Sequence, residues 1–253
     1  MKKNKAIMTG VLCLSLCLAA GAAWAHDLWI TCPQAQAGQK LLLDIGLGHD
    51  FPKGDKLNPD ELEETYVIGA GGKSKTAPQA DKSFQSAQPL AAGSYVAASG
   101  TKPVFFTKSP AGYVRKTKDQ VPEAIKCFRS IKYAKAIVNL GGQAGEVSQP
   151  LGQDLEIVPL ANPAGLKAGG ELPVKVLLSG KPLAGAEVSA MPAASGKDKS
   201  EPFKAATGSD GIVKVKLGAP GLWLVRVNQR TPYKDPAKCD VLSKTATLTF
   251  EIK

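Results

Sequence analysis

From residue 27 onward the apolar positions come in short runs, most with every second position polar or small. Residues 27–31 (DLWIT) form the first run. Residues 40–47 (KLLLDIGL) form the second, with Leu41, Leu43, Ile45 and Leu47 in alternation. Residues 64–69, 93–98 and 102–106 continue the series. Gly, Pro and Asn separate these runs, as expected for strands joined by turns. Residues 71–89 are polar and poor in large apolar side chains, which predicts a long loop or an irregular hairpin. Residues 119–135 have room for a short helix, limited by Pro122.

A second series starts near Gln149. Its strands are predicted at residues 155–160, 172–178, 186–191, 212–217, 222–227 and 245–252, with turn chemistry at Ser179-Gly180-Lys181 and Ser209-Asp210-Gly211. Residues 193–200 read as an exposed loop. Six or seven short strands over about 100 residues predict an immunoglobulin-like or transthyretin-like sandwich. The expected fold class is therefore all-β, with two β-sandwich domains at residues 26–148 and 149–253.

The apolar pattern before residue 26 is different. Lys2, Lys3 and Lys5 precede an apolar run from about residue 6 to residue 20, and Ala23-Trp24-Ala25 is a small-x-small sequence. That order predicts a cleaved secretory signal at residues 1–25 and a mature chain starting at His26, exported to the periplasm. Cys13 and Cys17 follow Leu12 and Leu16, not the small residue that lipid attachment wants. No later run reaches the roughly 18 apolar residues of a membrane span. Cleavage removes three lysines and lowers the formal charge from +10 to +7. An exported basic chain is not expected to meet nucleic acid, and its charge is read first as a solubility device. Nine of the basic residues crowd into residues 102–135, against Asp119 and Glu123. This is a solvated face or a docking surface for an acidic partner or anionic lipid.

Three cysteines remain after cleavage: Cys32, Cys127 and Cys239. An oxidising compartment favours one disulfide and leaves one thiol over. All three pairings are open, and no CxxC spacing suggests a zinc site.

Candidate chemistry centres on the two histidines, His26 and His49. After cleavage His26 carries an α-amine as well as an imidazole, and amine and Nδ1 can close a chelate on one ion. A second imidazole makes a three-nitrogen, T-shaped site that suits Cu(II) or Ni(II). His49 follows the 40–47 run, so antiparallel pairing with residues 27–31 would return it to the level of His26. Asp27 and Asp50 are the adjacent carboxylates that could complete the shell, with Asp44 and Asp55 further off. The bland alternative is a solvated terminus and a turn histidine. Met191 is the only methionine outside residues 1–25 and lies in the second unit, so a methionine Cu(I) site is excluded. No nucleophile elbow, P-loop or dinucleotide fingerprint occurs, and no enzyme activity is expected.

Several segments in combination resemble a known family: HDLWI at residues 26–30, GHDFP at 48–52, IKYAKAIVNLG at 131–141, the stretch from PLGQDLEIVPL through GKPLAGAEVSA at 150–190, TGSDGIVKVKL at 207–217, PGLWLVRV at 220–227 and the closing TATLTFEIK. Together they resemble the NikM-like family, periplasmic components of ABC-type cobalt or nickel uptake systems. The resemblance implies a metal-uptake component of β-sandwich domains. Its cargo would be Ni2+ or Co2+, its partner a membrane metal-uptake transporter, and its ligands His26 and His49. Two alternatives stand beside it: a periplasmic Cu2+ carrier with a histidine brace, and a metal-free structural or interaction module.

Overall fold

The computed structural model describes residues 26–253 except 56, 81, 143 and 194–202. The expected signal segment, and most of the loop expected at 193–200, lie outside the described residues. The described chain is nearly all strand. In order these are β1 (Asp27–Thr31), β2 (Lys40–Gly48), β3 (Tyr66–Gly69), β4 (Gly72–Ala80), β5 (Ser83–Pro89), β6 (Ser94–Gly100), β7 (Val104–Ser109), β8 (Gly112–Val114), β9 (Lys126–Asn139), β10 (Leu155–Pro159), β11 (Glu171–Leu178), β12 (Lys181–Pro182), β13 (Glu187–Pro192), β14 (Phe203–Ala206), β15 (Ile212–Lys216), β16 (Gly221–Pro232) and β17 (Val241–Ile252). The only helical elements among them are three-residue 3-10 turns at Pro59–Glu61, Lys118–Gln120 and Pro163–Gly165. No described helix is long and apolar enough to cross a membrane.

One sequence expectation changes and another is narrowed. The room for a helix at 119–135 is taken by one 3-10 turn and then by β9, the longest strand at 14 residues. Val, Ile, Tyr and Phe along β9 favour extended backbone, and its small alanines allow packing on both faces. The stretch at 71–89, expected as a long loop or an irregular hairpin, is the irregular hairpin: β4 and β5 pair with a register shift between Pro78 and Ala80, and both are largely exposed, which accounts for the polar composition.

The strands stack in layers because side chains alternate across a sheet. A middle sheet is built from β6, β9, β17, β16 and β13. On β9, Ile137 faces one way, into a core with β10, β11 and β15, whereas Ala134, Ala136 and Val138 face the other, into a core with β1, β2 and β5. β17 divides similarly. Ala246, Leu248, Phe250 and Ile252 enter the first core. On its other face the Thr247 and Thr249 hydroxyls donate to the carbonyls of Leu28 and Ile30, at 2.6 and 2.5 Å. Those bonds pin β1 across the middle sheet. β4 connects the layers by pairing with β3 through residues 72–75 and with β5 through residues 76–80, so the hydrogen-bonded sheet doubles back on itself. The boundary expected at 148/149 falls between β9 and β10, while β9 and β17 pair in parallel from Phe128↔Val241 to Ala136↔Thr249 and join the two halves in one sheet.

One covalent and one ionic feature tie these strands together. The disulfide is Cys127–Cys239, which bridges the start of β9 to the residues just before β17; Cys32 is the free thiol, and burial pushes its pKa up to about 12. An ion pair joins Lys135 of β9 to Glu156 of β10 inside the sandwich, with the two side chains 2% and 1% exposed. Glu156 also accepts the N–H groups of Leu151 and Gly152, at 2.5 and 3.1 Å, and Lys135 donates to the Ile157 carbonyl at 3.2 Å. Burial holds the Lys135 pKa below its usual value, against the pull of Glu156. Because every partner is accounted for, removing one charge is expected to cost far more than removing both. Glu156→Gln should destabilise the fold by about 3–5 kcal/mol, and Lys135→Met with Glu156→Leu by much less. Urea unfolding of the two variants beside the parent checks this, and equal losses would contradict it.

Candidate metal centre

The site starts from one hairpin. β1 and β2 are antiparallel with Asp27 opposite Gly48, so His26, just before β1, and His49, just after β2, emerge at the same end. Their rings stack with centroids 4.3 Å apart and planes 26° from parallel.

Local packing fixes that end of the hairpin. The Trp29 indole lies over Gly46, where an added Cβ would fall 2.1 Å from Nε1. Trp29 is 1% exposed and meets Phe51 edge-on at 5.7 Å, with Leu224 of β16 in the same cluster. The turn after β2 then folds back. Lys53 N donates to the Asp50 carbonyl at 2.6 Å and Asp55 N to the Leu47 carbonyl at 2.7 Å. Gly54 rests on the backbone of Gly46, where a Cβ would come within 2.6 Å of the Gly46 Cα. Gly48 has φ +155°, and a Cβ there would meet the Asp55 carboxylate at 3.2 Å. Glycine at 46, 48 and 54 is therefore a steric requirement of this closed turn.

The returning turn brings Asp55 Oδ2 to 3.5 Å from His26 Nε2. Both groups remain open to solvent, with side chains 52% and 70% exposed. Partial burial and then the His49 ring hold the His26 pKa below its ordinary value, with Asp55 pulling the other way and Lys132 adding to the depression. The neutral imidazole, the form that ligates a metal, is thereby favoured.

The other carboxylates lie differently. Asp27 accepts from Arg226 Nε of β16 at 2.7 Å. Its burial raises its pKa while Arg226 lowers it. The carboxylate next to His26 in sequence is thus committed to the middle sheet. Asp50 is exposed at the start of the turn. Asp44 pairs with Thr31 at the far end of β1 and accepts from Ser83. What brings Asp55 rather than Asp27 to the imidazole is turn closure, for which the glycines of GHDFPKGD are the sequence signal.

Among the described residues no group of three or more His, Cys, Asp and Glu side chains forms a metal cluster. Two imidazoles and one carboxylate can serve an ion only with help from another donor, and the α-amine of a chain starting at His26 would be that donor. Metal–imidazole bonds of about 2.0 Å lie in the ring plane. Two nearly parallel rings cannot both aim at one ion, so one ring must rotate about its side-chain torsions for shared ligation.

A family model described as "Domain of unknown function (DUF4198)" matches residues 23–231, from before His26 to the end of β16. The chain belongs to the DUF4198 family. The match contains both histidines, the closed turn and Arg226, so the whole candidate centre of this DUF4198 protein lies within the family's region. No curated protein matches it. Among solved structures it is similar to one described as "Crystal structure of tetra-tandem repeat in extending region of large adhesion protein", at 13% identity and a TM-score of 0.22. That match covers 90% of this chain and half of the other, and a score so low carries no argument.

Proposed function

We propose that this DUF4198 protein is a periplasmic carrier of Ni2+ or Co2+ that supplies a membrane uptake transporter of the ABC type. In this reading residues 1–25 are removed on export, and the His26 amine and imidazole together with the His49 imidazole hold the ion. The observation that carries it is the 4.3 Å stacking of the two histidine rings at one end of the β1–β2 hairpin. The resemblance to NikM-like proteins supports the choice of cargo. The Asp55 carboxylate at 3.5 Å adds a hard oxygen donor, which suits Ni2+ and Co2+. The protein acts as a carrier and not an enzyme. A Cu2+ carrier is the second reading, favoured by the nitrogen-rich donor set, since Cu2+ binds such sites tightly.

Calorimetric titration of the chain beginning at His26, beside one with a single extra residue before it, tests the proposal. The processed chain should bind Ni2+ and Co2+ in a 1:1 ratio and the extended chain much more weakly. Equal affinities for the two chains would sink the amine ligand. The pH dependence has a definite sign. Protons compete for an amine with an ordinary pKa of about 7.7–8.0 and for the ligating imidazole nitrogens. Affinity is therefore full above those values and lost as pH falls. Between pH 7 and pH 5 it should drop at least about 1,000-fold. The depressed His26 pKa moves its share of the loss to lower pH. The extended chain, lacking the amine, should show a shallower fall.

A further inference from the structure

The basic segment noted in the sequence folds into one corner of the molecule that the metal centre does not use. β8 is an edge strand, paired only with β7, and it places Tyr113 opposite Lys108 and Val114 opposite Thr107. Lys108 in turn faces Lys126 on β9, and Ile125 N donates to the Lys108 carbonyl at 2.8 Å. Tyr113 therefore lies on the Lys108 side of β8 and Val114 on the opposite side, and Tyr113, Val114 and Ile125 stand in solvent at 59%, 40% and 56% exposure. Only one other large apolar side chain among the described residues, Leu160, is exposed to this degree.

The same segment, residues 108–126, carries Lys108, Arg115, Lys116, Lys118 and Lys126 against Asp119 and Glu123. Arg115 pairs with Glu61, and Lys118 with Asp240, so Lys108, Lys116 and Lys126 supply the cationic charge of the corner. The corner is braced from behind. Cys127 is bridged to Cys239, Asp240 accepts the Cys127 N–H at 2.7 Å, and Lys118 N donates to the Lys238 carbonyl at 2.7 Å. Apolar side chains held on and beside paired strands, with lysines next to them, lose little order on binding.

We propose that this corner seats the protein on a bilayer surface carrying anionic lipid head groups. Charge complementarity is the first argument: basic residues held at a surface are drawn to anionic lipid. The kind of residue is the second. Lysine is depleted at protein–protein interfaces, whereas tyrosine and lysine together suit the head-group region, with the ring at the boundary and the ammonium in water. The corner lies at the Lys126 end of β9. Lys132, which acts electrostatically on His26, is six residues along that strand, or about 20 Å. A docked molecule would thus hold its N-terminal histidine within reach of a membrane protein. The docking itself does not depend on the metal reading.

Flotation of the chain beginning at His26 with vesicles tests it. Vesicles of phosphatidylcholine containing about 30% phosphatidylglycerol should bind the protein at least about tenfold better than phosphatidylcholine alone, and salt should weaken the binding. Two variants separate the contributions: Tyr113→Ser with Val114→Ser and Ile125→Ser, and Lys108→Gln with Lys116→Gln and Lys126→Gln. Each should lose at least about tenfold in vesicle binding while keeping the parent's circular dichroism and Ni2+ affinity. No binding, equal binding to neutral vesicles, or variants that bind like the parent would overturn the proposal. Soluble polyglutamate bound as tightly as the vesicles, with no loss in the serine variant, would assign the surface to an acidic protein and overturn the lipid assignment.

Discussion

His49→Ala is expected to lower the Ni2+ affinity of the chain beginning at His26 by at least about 100-fold, with little change in the stability of the metal-free protein. Loss of a residue that merely orients a ligand costs about 10–100-fold. Loss of a ligand itself should exceed that range. The fold should tolerate the change because His49 lies exposed beyond the end of β2, whereas the groups that hold the turn are Trp29, Phe51 and the glycines packed on the strand. The substitution has a second readout that needs no metal. The His49 ring helps hold the His26 pKa down, so its removal should let that value rise toward the ordinary one. An NMR titration of His26 reports this shift directly. An extra residue before His26 removes the amine at the same centre, so the two changes together should cost less than the sum of their separate effects. Unchanged Ni2+ affinity in the single variant would remove His49 from the site.

The second large effect belongs to the disulfide. Replacing Cys127 and Cys239 by alanine is expected to destabilise the fold by about 4.7 kcal/mol, the loop-closure value for a bridge spanning roughly 100 residues. The two positions are 112 residues apart in sequence and both are fully buried. For a chain of this size the loss corresponds to a fall in Tm of roughly 10–20 °C, read by calorimetry. The bridge also backs Asp240, whose carboxyl is held below its ordinary pKa, despite the burial that opposes this, by the Lys118 ammonium and the Cys127 N–H. Treating the wild-type protein with a reductant strong enough to open the bridge should reproduce the alanine result. Equal melting of the oxidised protein and the double variant would contradict it.

The candidate metal centre and the disulfide differ in how much of each could be read along the chain. A period of two in apolar residues is local, and it set the strands at 27–31, 40–47, 155–160 and 172–178 to within about a residue of their observed limits. It failed at β9. There Lys132 and Lys135 interrupt the apolar pattern although both side chains are buried in the folded protein, one bonded to Ser130 and the other to Glu156. A buried charge reads as exposed until its partner is known, and Glu156 lies 21 residues away.

The same division runs through the site. The amino-acid sequence by itself determined that His26 and His49 flank two strands joined by a short connection, and antiparallel pairing of such strands returns the second residue to the level of the first. Only the tertiary structure decided which carboxylate joins them. Asp27, the nearer in sequence, is drawn off by Arg226, 199 residues further on, whereas Asp55 is delivered by a turn that closes over glycines. It likewise chose one cysteine pairing out of three and laid β17 parallel to β9. Alternation and turn chemistry act between neighbours in the chain and are written there. Registers, ion pairs and bridges between distant segments depend on which surfaces meet once the layers have packed, and no single stretch of sequence contains that information.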